Sequence, residues 1–397
     1  MQTRAFDVDT HEMIPFHMWG EAFGEGIAAK LAACEFSPVF AENGENTSVR
    51  PDITADDVEI TTEVVWSAKG CSAPGAIDMT RRTSVMDAMG VERALLFPSF
   101  GLVGFMMAFS PEWASAFQGL GFDVRETREV GLEVVRASND WASHAFRQID
   151  ERVRPVGLLL AESPDQMTRD LAELVDRGVG AVWIPSGQPP AGTSPADTAL
   201  DPFWRAAADA DVSVLLHIGT DFTFASSLAW SANVPAFVPP IASAEFVLSP
   251  FAGVTAAVAA EHFLAAMVLG GVFERVPHLR FGVIELGAQW FGPLAERLDQ
   301  WAAVLPKALR GVLSMKPSEY LARNVRVAPF HFEPIDEYLE RYPQLVTSYC
   351  FSTDYPHVEG GKGVRTVFEE RLARLGPDVS DKFFRANGEW LIPARSG

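Results

Sequence analysis

Short apolar runs rich in β-branched residues alternate along the chain with longer stretches of helical periodicity. Eight short runs stand out: 5–11 (AFDVDTH), 92–100 (ERALLFPSF), 153–163 (VRPVGLLLAES), 178–187 (GVGAVWIPSG), 211–221 (DVSVLLHIGTD), 280–287 (RFGVIELG), 325–333 (VRVAPFHFE) and 347–356 (TSYCFSTDYP). Near-continuous apolar character suits parallel strands covered on both faces. Helical patterns fall between them: TRRTSVMDAMG before the second run and ETREVGLEVVRASNDWASHAFRQID before the third. SPDQMTRDLAELVDRG precedes the fourth, with Ser163 or Asp165 placed to cap it and Gly178 to stop it. DPFWRAAADAD precedes the fifth. Eight strands with intervening helices predict an α/β fold, a TIM (β/α)8 barrel. A doubly wound sheet shows the same alternation, so counting alone does not separate the two.

Two stretches interrupt the pattern. Residues 12–78 hold Gly, Pro, Asn and acidic clusters with little periodicity, and residues 219–252 are rich in Phe, Trp, Pro and Ser. They follow the first and fifth strands, so they are expected as long loop insertions projecting from the C-terminal rim, where barrel active sites lie. Long excursions of this kind are commonly lids or binding loops; packing or dimer surface is the plain alternative. The whole chain, 1–397, is read as one domain. The apolar run from Val254 to Phe273 contains Glu261, His262 and Gly270-Gly271 and is expected as a core helix.

With 397 residues, 48% of them hydrophobic, the chain can bury a large core. Its 32 basic and 52 acidic residues leave a net charge of -20, and no Lys/Arg block stands out. A nucleic-acid partner is therefore not expected, and an anionic substrate would need a local basic or metal centre. Cys34, Cys71 and Cys350 are far apart with no Cys-x-x-Cys pair, which argues against a disulfide framework and a thiolate zinc site. The N-terminus MQTRAFDVDTHE lacks the apolar core of a signal peptide. No stretch of about 18 apolar residues is free of charge or Pro, so no membrane span is expected. Cytoplasmic residence fits these features.

Polar residues at the strand C-termini carry the candidate chemistry. Alternation along the first strand sends Asp7, Asp9 and His11 to one face. A carboxylate and an imidazole two residues apart can grip one ion; equally, Asp9 can cap a loop and His11 hydrogen-bond at the rim. His217 closes the apolar fifth strand, as a ligand or as a satisfied core histidine. Asp354 ends the eighth strand, and Pro356 stops pairing after it. A buried carboxylate without a partner is costly; a metal, an Arg or a His would each relieve that cost. Together, Asp9, His11, His217 and Asp354 converge on one rim as ligands for a single divalent ion. The mixed nitrogen and oxygen set suits Zn2+ first and Mn2+ second. Too few ligands are implied to close the shell, so a position stays open for water or substrate.

On these residues the chain resembles the amidohydrolase-related group of the amidohydrolase superfamily, which contains aminocarboxymuconate-semialdehyde decarboxylase and the resorcylate-type decarboxylases. The resemblance covers nearly the whole chain and is most specific in DVDTHEMIP, VLLHIGTD, LGGVFERVPHLRFGVIELGAQW, PSEYLARNV and FSTDYPHVEG. It implies that Asp9 and His11 match the strand-one metal motif, His217 the strand-five His and Asp354 the strand-eight Asp. The characterised decarboxylases keep a His at the end of strand six; here Glu285 stands in its place. Glu285 can ligate metal, orient a ligand, act as base, or form a rim salt bridge with an Arg. Proton transfer would then fall to another group, with His262 and His357 as candidates. His262 lies in a predicted apolar helix, so a core role is its alternative. His357 matches a recurrent feature of long family members. His17 and His331 are weaker candidates, and His144 and His278 are read as structural or exposed.

Two reactions share this site. In the first, the metal holds a substrate carboxylate or hydroxyl and a protein acid protonates the adjacent carbon as carbon dioxide leaves. In the second, Asp354 or Glu285 deprotonates a metal-activated water that attacks an amide, lactone or C–C bond. A binding protein on a degraded barrel is the non-enzyme alternative, and retention of the expected ligand types argues against it. Phe100, Phe105, Trp183, Phe222, Phe224, Trp230 and Trp290 lie on or just after rim-forming strands and suggest a small aromatic or unsaturated carboxylate as substrate; core packing is their plain reading. Arg50, in the first excursion, or an Arg from a second subunit can meet such a carboxylate. Trp113, Phe117 and Phe122 suggest a homodimer contact, in keeping with related enzymes.

Overall fold

The computed structural model describes residues 4–35, 52–109, 124–237 and 249–394. Seven strands form one parallel sheet in chain order: β1 (Ala5–Asp7), β2 (Val91–Leu96), β3 (Val153–Leu158), β4 (Ala181–Trp183), β5 (Ser213–His217), β6 (Arg280–Ile284) and β7 (Val325–Val327). Helices connect successive strands, among them Arg82–Met89 before β2, Val124–Gln148 before β3, Pro164–Asp176 before β4 and Asp201–Asp209 before β5. This is an α/β, TIM-like arrangement.

The sequence builds it through a period of two. Leu95, Trp183, Leu215 and Ile284 join one buried cluster. Their chain neighbours Leu96, Val182, Val214, Leu216 and Val283 join another, with the apolar faces of the helices. Each central strand is thus apolar on both faces, as a helix-covered parallel sheet requires. The helix Pro164–Asp176 shows how the ends are fixed. Ser163 accepts a hydrogen bond from Gln166 N, Pro164 opens the first turn, and Gly178 turns away with φ 92°.

Residues 347–356, expected as an eighth strand, form no regular strand. They make isolated parallel bridges, Tyr349 to Val327 and Tyr355 to Thr10. Cys350 N donates to Val327 O at 2.9 Å and Val8 N to Phe351 O at 3.2 Å. The segment therefore bonds to β7 on one side and to the β1 end on the other. Its irregularity has a local cause: Asp354 has φ 52°, outside the extended region, and Pro356 has no N–H to donate.

The strands are shorter than their apolar runs, because the rim-side residues leave the ladder to serve the loops. After β2 the chain turns at once into the helix Ser99–Phe109, where a strand was expected to reach residue 100. Glu12 explains this turn: its carboxylate accepts from Phe100 N at 2.8 Å and Ile14 N at 3.1 Å, and Ser99 Oγ donates to Glu12 O. In 12–78 the described residues hold short helices at Trp19–Phe23, Glu25–Glu35 and Val64–Ser67. Phe23 stacks on Phe100 at 3.7 Å and Trp19 meets it edge-on at 4.8 Å. The run Pro250–Leu269 is long and apolar enough to cross a membrane by length and composition, but Ala260, Phe263, Leu264, Met267 and Val268 within it belong to the core. Arg50, Trp113, Phe117 and Phe122, and the side chain of Phe222, lie outside the described residues.

Candidate metal centre

His217 has the same parity on β5 as Leu215 and so points into the inner cluster. There it packs on Phe97 at 4.3 Å and Trp183 at 4.8 Å between ring centroids. Its Nδ1 lies 3.1 Å from Ile218 O. A carbonyl only accepts, so Nδ1 carries a proton and donates to it, which leaves Nε2 directed at the carboxylates. Nε2 is 3.4 Å from Asp9 Oδ1 and 3.2 Å from Glu285 Oε2. His11 Nε2 is 3.2 Å from Asp9 Oδ1 and 3.4 Å from Asp354 Oδ1. His357 Nδ1 is 2.8 Å from Asp354 Oδ1, and its ring lies 3.9 Å from that of His11.

Two overlapping groups of ligand atoms result, each with all members within 4.8 Å of one another: Asp9, His11, His217 and Glu285, and His11, Glu285, Asp354 and His357. All six residues are buried. Of the four expected from the sequence, Asp9, His11 and His217 share one group, in which Glu285 takes the place expected for Asp354, and Asp354 falls in the second group with His11. Among the described residues Glu285 pairs with His217 and with no Arg.

The backbone explains its position. Alternation along β6 would carry Glu285 outward with Phe281 and Val283; instead its φ of 55° turns it back over the sheet end. Asp354 has φ 52°. Non-glycine residues in this region are strained, and such strain persists where surrounding structure enforces it. Near Asp354 the enforcement is visible. Asp354 N donates to Asp9 O at 2.9 Å, and a Cβ at Gly360 would lie 2.3 Å from Thr353 O, a passage open only to glycine.

Asp7 does not join the group. β1 ends there, and its carboxylate accepts from Thr353 Oγ1 at 2.6 Å, Thr353 N at 3.0 Å and Asp9 N at 3.2 Å. It ties the eighth segment to β1, and alternation fails beyond it because the chain bends at Val8. His262 lies apart from both ligand groups, on the helix Val258–Leu269, with its ring 5.1 Å from Phe224. His17 bonds Ile53 O on the surface, and His144 pairs with Gln148. Of the aromatics singled out in the sequence, Trp183 floors the site. Phe100 and Phe105 are core residues, and exposed Trp230 lines a cavity of about 200 Å3 with Asp221, Phe224 and Phe251.

Electrostatics favour a cation here. Burial pushes the Glu285 carboxyl well above its ordinary range, and Asp354 and Asp9 push it further. Burial likewise raises Asp354, opposed by His357. Burial lowers His11, and His357 adds to that, so the His11 ring is held neutral. Neither His11 ring nitrogen makes a well-formed hydrogen bond. Buried carboxylates that repel one another, beside imidazole nitrogens directed among them, fit a divalent ion that takes both donor types.

Residues supporting the centre were less visible in the sequence. Arg82 is buried, donates from Nη2 to His11 O, and stacks its guanidinium 5.2 Å from the Tyr355 ring. Phe97 packs under both His11 and His217. Only the position of Phe97, just before Pro98 at a strand end, could have marked it.

The amidohydrolase family matches residues 111–391, more than half of the chain. The chain belongs to that family. Among solved structures this amidohydrolase is similar to an amidohydrolase of Mycobacterium avium subsp. paratuberculosis K-10, at 20% identity and a TM-score of 0.67, covering 99% of this chain and 98% of that one. It is also similar to the 5-carboxyvanillate decarboxylase of Sphingomonas paucimobilis, at 17% identity and a TM-score of 0.56, over 98% and 100%. A third is the dihydroxybenzoic acid decarboxylase of Polaromonas sp. JS666, solved with bound manganese and 2-nitroresorcinol, at 16% identity and a TM-score of 0.58, over 100% and 98%. No curated protein matches the chain. Family membership makes this amidohydrolase an enzyme.

Proposed function

We propose that this amidohydrolase is a metal-dependent carboxy-lyase that removes carbon dioxide, without oxidation, from a small aromatic or unsaturated carboxylic acid. The observation that carries the reading is the convergence of Asp9, His11, His217 and Glu285 with the Asp354–His357 pair at one sheet end. Similarity over nearly full length to decarboxylases of aromatic acids supports it.

In this reading Asp9, His11, His217 and Glu285 or Asp354 hold one divalent ion, zinc or manganese. When bound, that ion orients a substrate carboxylate or neighbouring hydroxyl and offsets developing negative charge. His217 keeps its tautomer through Ile218 O, and Arg82 fixes His11 through its carbonyl. Phe97 and Trp183 exclude water from beneath the site. The Asp354–His357 pair holds a proton between Oδ1 and Nδ1 at 2.8 Å. As the C–C bond to the carboxylate breaks, its electron pair takes that proton at the ring carbon and carbon dioxide departs. The whole chain, 1–397, is one (β/α)8-type domain in this reading. The described parts of the excursions 12–78 and 219–252 serve as lids over the rim, and the active form is a homodimer.

One observation favours a second reading, metal-dependent hydrolysis of an amide, lactone or C–C bond. Glu285 occupies the place of the strand-six His and sits in the ligand group, where a carboxylate can accept a proton from water. Incubating metal-loaded protein with 2,6-dihydroxybenzoate, 5-carboxyvanillate and a panel of unsaturated acids, amides and lactones separates the two. Carbon dioxide release with formation of the decarboxylated product supports the first; hydrolysis products without it support the second. Metal-loaded protein that yields neither overturns both for these substrates.

A further inference from the structure

A chain of net charge -20 that takes an anionic substrate needs a cation where the substrate enters. The centre alone does not supply one. Three carboxylates, those of Asp9, Glu285 and Asp354, leave one negative charge against a divalent ion. Arg82 lies behind His11, committed to its carbonyl.

Lys69 answers this need. It belongs to the first excursion, yet it is fastened at the rim: the next residue, Gly70, donates its N–H to Pro356 O at 2.8 Å, two residues beyond Asp354. Lys69 is partly buried, with Asp354 and Glu359 the anions within its electrostatic reach and Lys362 the opposing cation. His331 is close enough to feel its charge, and Gly361 packs against that imidazole, where a Cβ would lie 3.0 Å from it. The side chain thus stands among the eighth segment, the loop after β7 and the first excursion. Among the described residues it makes no ion pair within 4.0 Å. Lysine is almost never fully buried unless paired; Lys69, only partly buried, has no ion-pair partner among the described residues and can keep its ammonium toward the mouth of the acidic centre.

We propose that Lys69 is the cation that receives the carboxylate of the substrate at the mouth of the metal centre. This rests on the carboxylate-substrate reading above. The ammonium offers three donors on a flexible stem and needs no fixed fork to meet a carboxylate. It also brings the mouth, with its bound ion, back to neutrality, so an arriving anion is not repelled.

The test measures Kd of metal-loaded wild-type and Lys69→Gln protein for two ligands by calorimetry. One is 2,6-dihydroxybenzoate, the carboxylate counterpart of 2-nitroresorcinol; the other is resorcinol, the same ring without the carboxylate. Metal content and Tm of the variant are checked beside wild type. The expected result is a 10- to 100-fold loss for the benzoate, the range of a hydrogen bond to a charged group, with resorcinol binding unchanged. Lys69→Arg should recover part of the loss. Equal weakening of both ligands, or none of either, overturns the role of Lys69 while leaving the carboxy-lyase reading intact. Wild-type protein that binds resorcinol as well as the benzoate, or neither ligand, counts against that reading itself and removes the basis for the inference.

Discussion

At the scale of single residues, the centre's six side chains divide by task, and substitutions should separate the tasks. His217→Ala removes a ring nitrogen fixed by Ile218 O. Metal content of purified protein, read by mass spectrometry, should fall by more than the roughly 10- to 100-fold affinity loss typical of groups that merely support a ligand. His357→Ala should instead retain metal and lose about 10²- to 10⁴-fold in rate, the usual worth of a positioned proton donor. Metal loss in the second variant would move His357 from proton delivery to ligation. A further carboxylate offers a pH test. Burial raises Asp221 to about 6. Its folded value lies above the unfolded value, so the native state binds the extra proton. The resulting stability is complete below about pH 4 and is lost as pH rises through about 6. Two units correspond to about 3 kcal/mol. Asp221→Asn should therefore gain about that much relative to wild type between pH 4 and pH 7.5, measured by urea unfolding of chelator-treated protein. A constant difference across that range would show that Asp221 does not titrate there. Residues of this kind differ in how far sequence exposes them. His217 and His357 were marked by ending or following apolar strands. Arg82 and Lys69 were not, because their partners are backbone atoms or charges far along the chain. Glu285 was marked by position, but its membership of the ligand group depends on a left-handed φ that no periodicity encodes.

At the scale of elements, the strand cores were legible because an apolar run buried on both faces has few other uses. Their ends were not. Seven runs were read about three to seven residues too long, since the backbone turns to build the site before the strand-like run ends. The eighth run reads as a strand but makes only bridges, because Asp354 is spent on the centre. The helix Ser99–Phe109 was hidden behind Pro98, and the carboxylate that caps it, Glu12, lies far away in sequence. The best-anchored connection between elements is also non-local. Arg275, closing the short helix Val272–Arg275, donates from Nε to both oxygens of Asp201 at 3.0 and 2.9 Å, and from Nη2 to Oδ1 at 2.9 Å. Asp201 opens the helix before β5 and is buried. Arg275 also donates to Gly270 O and Ala196 O. Arg275→Ala leaves two carbonyls without that donor and leaves Asp201 with Arg205, whose Nη2 donates to Oδ2 at 3.2 Å. It should cost about 1.5–3 kcal/mol in denaturant unfolding, the range of hydrogen bonds to a charged group, with metal content unchanged at permissive temperature. A loss under 1 kcal/mol would mean that water replaces the guanidinium freely.

At the scale of the whole molecule, the centre and the closure of the sheet are one device. Asp7 and Asp9 sit on the β1 end; Thr353 and Asp354 sit on the segment that bonds to both β1 and β7. A divalent ion held among Asp9, His11, His217, Glu285 and Asp354 would join β1, β5, β6 and the eighth segment, and would lift the mutual repulsion of buried carboxylates. Removing it should therefore weaken the entire fold, not only the reaction. Linkage gives the size: an ion at 100 times its Kd stabilises the native state by about 2.7 kcal/mol. With an unfolding entropy of about 2.1 cal/mol/K per residue over a chain of this length, that amounts to about 3 °C in Tm, and more for tighter binding. Chelator treatment should lower Tm by at least this amount, and zinc or manganese should restore it. Asp354→Asn should shrink the chelator effect, whereas Arg275→Ala, far from the centre, should lower Tm without changing it. A chelator-insensitive Tm in protein that demonstrably carried metal would place the ion away from the strand ends and remove the link between closure and chemistry.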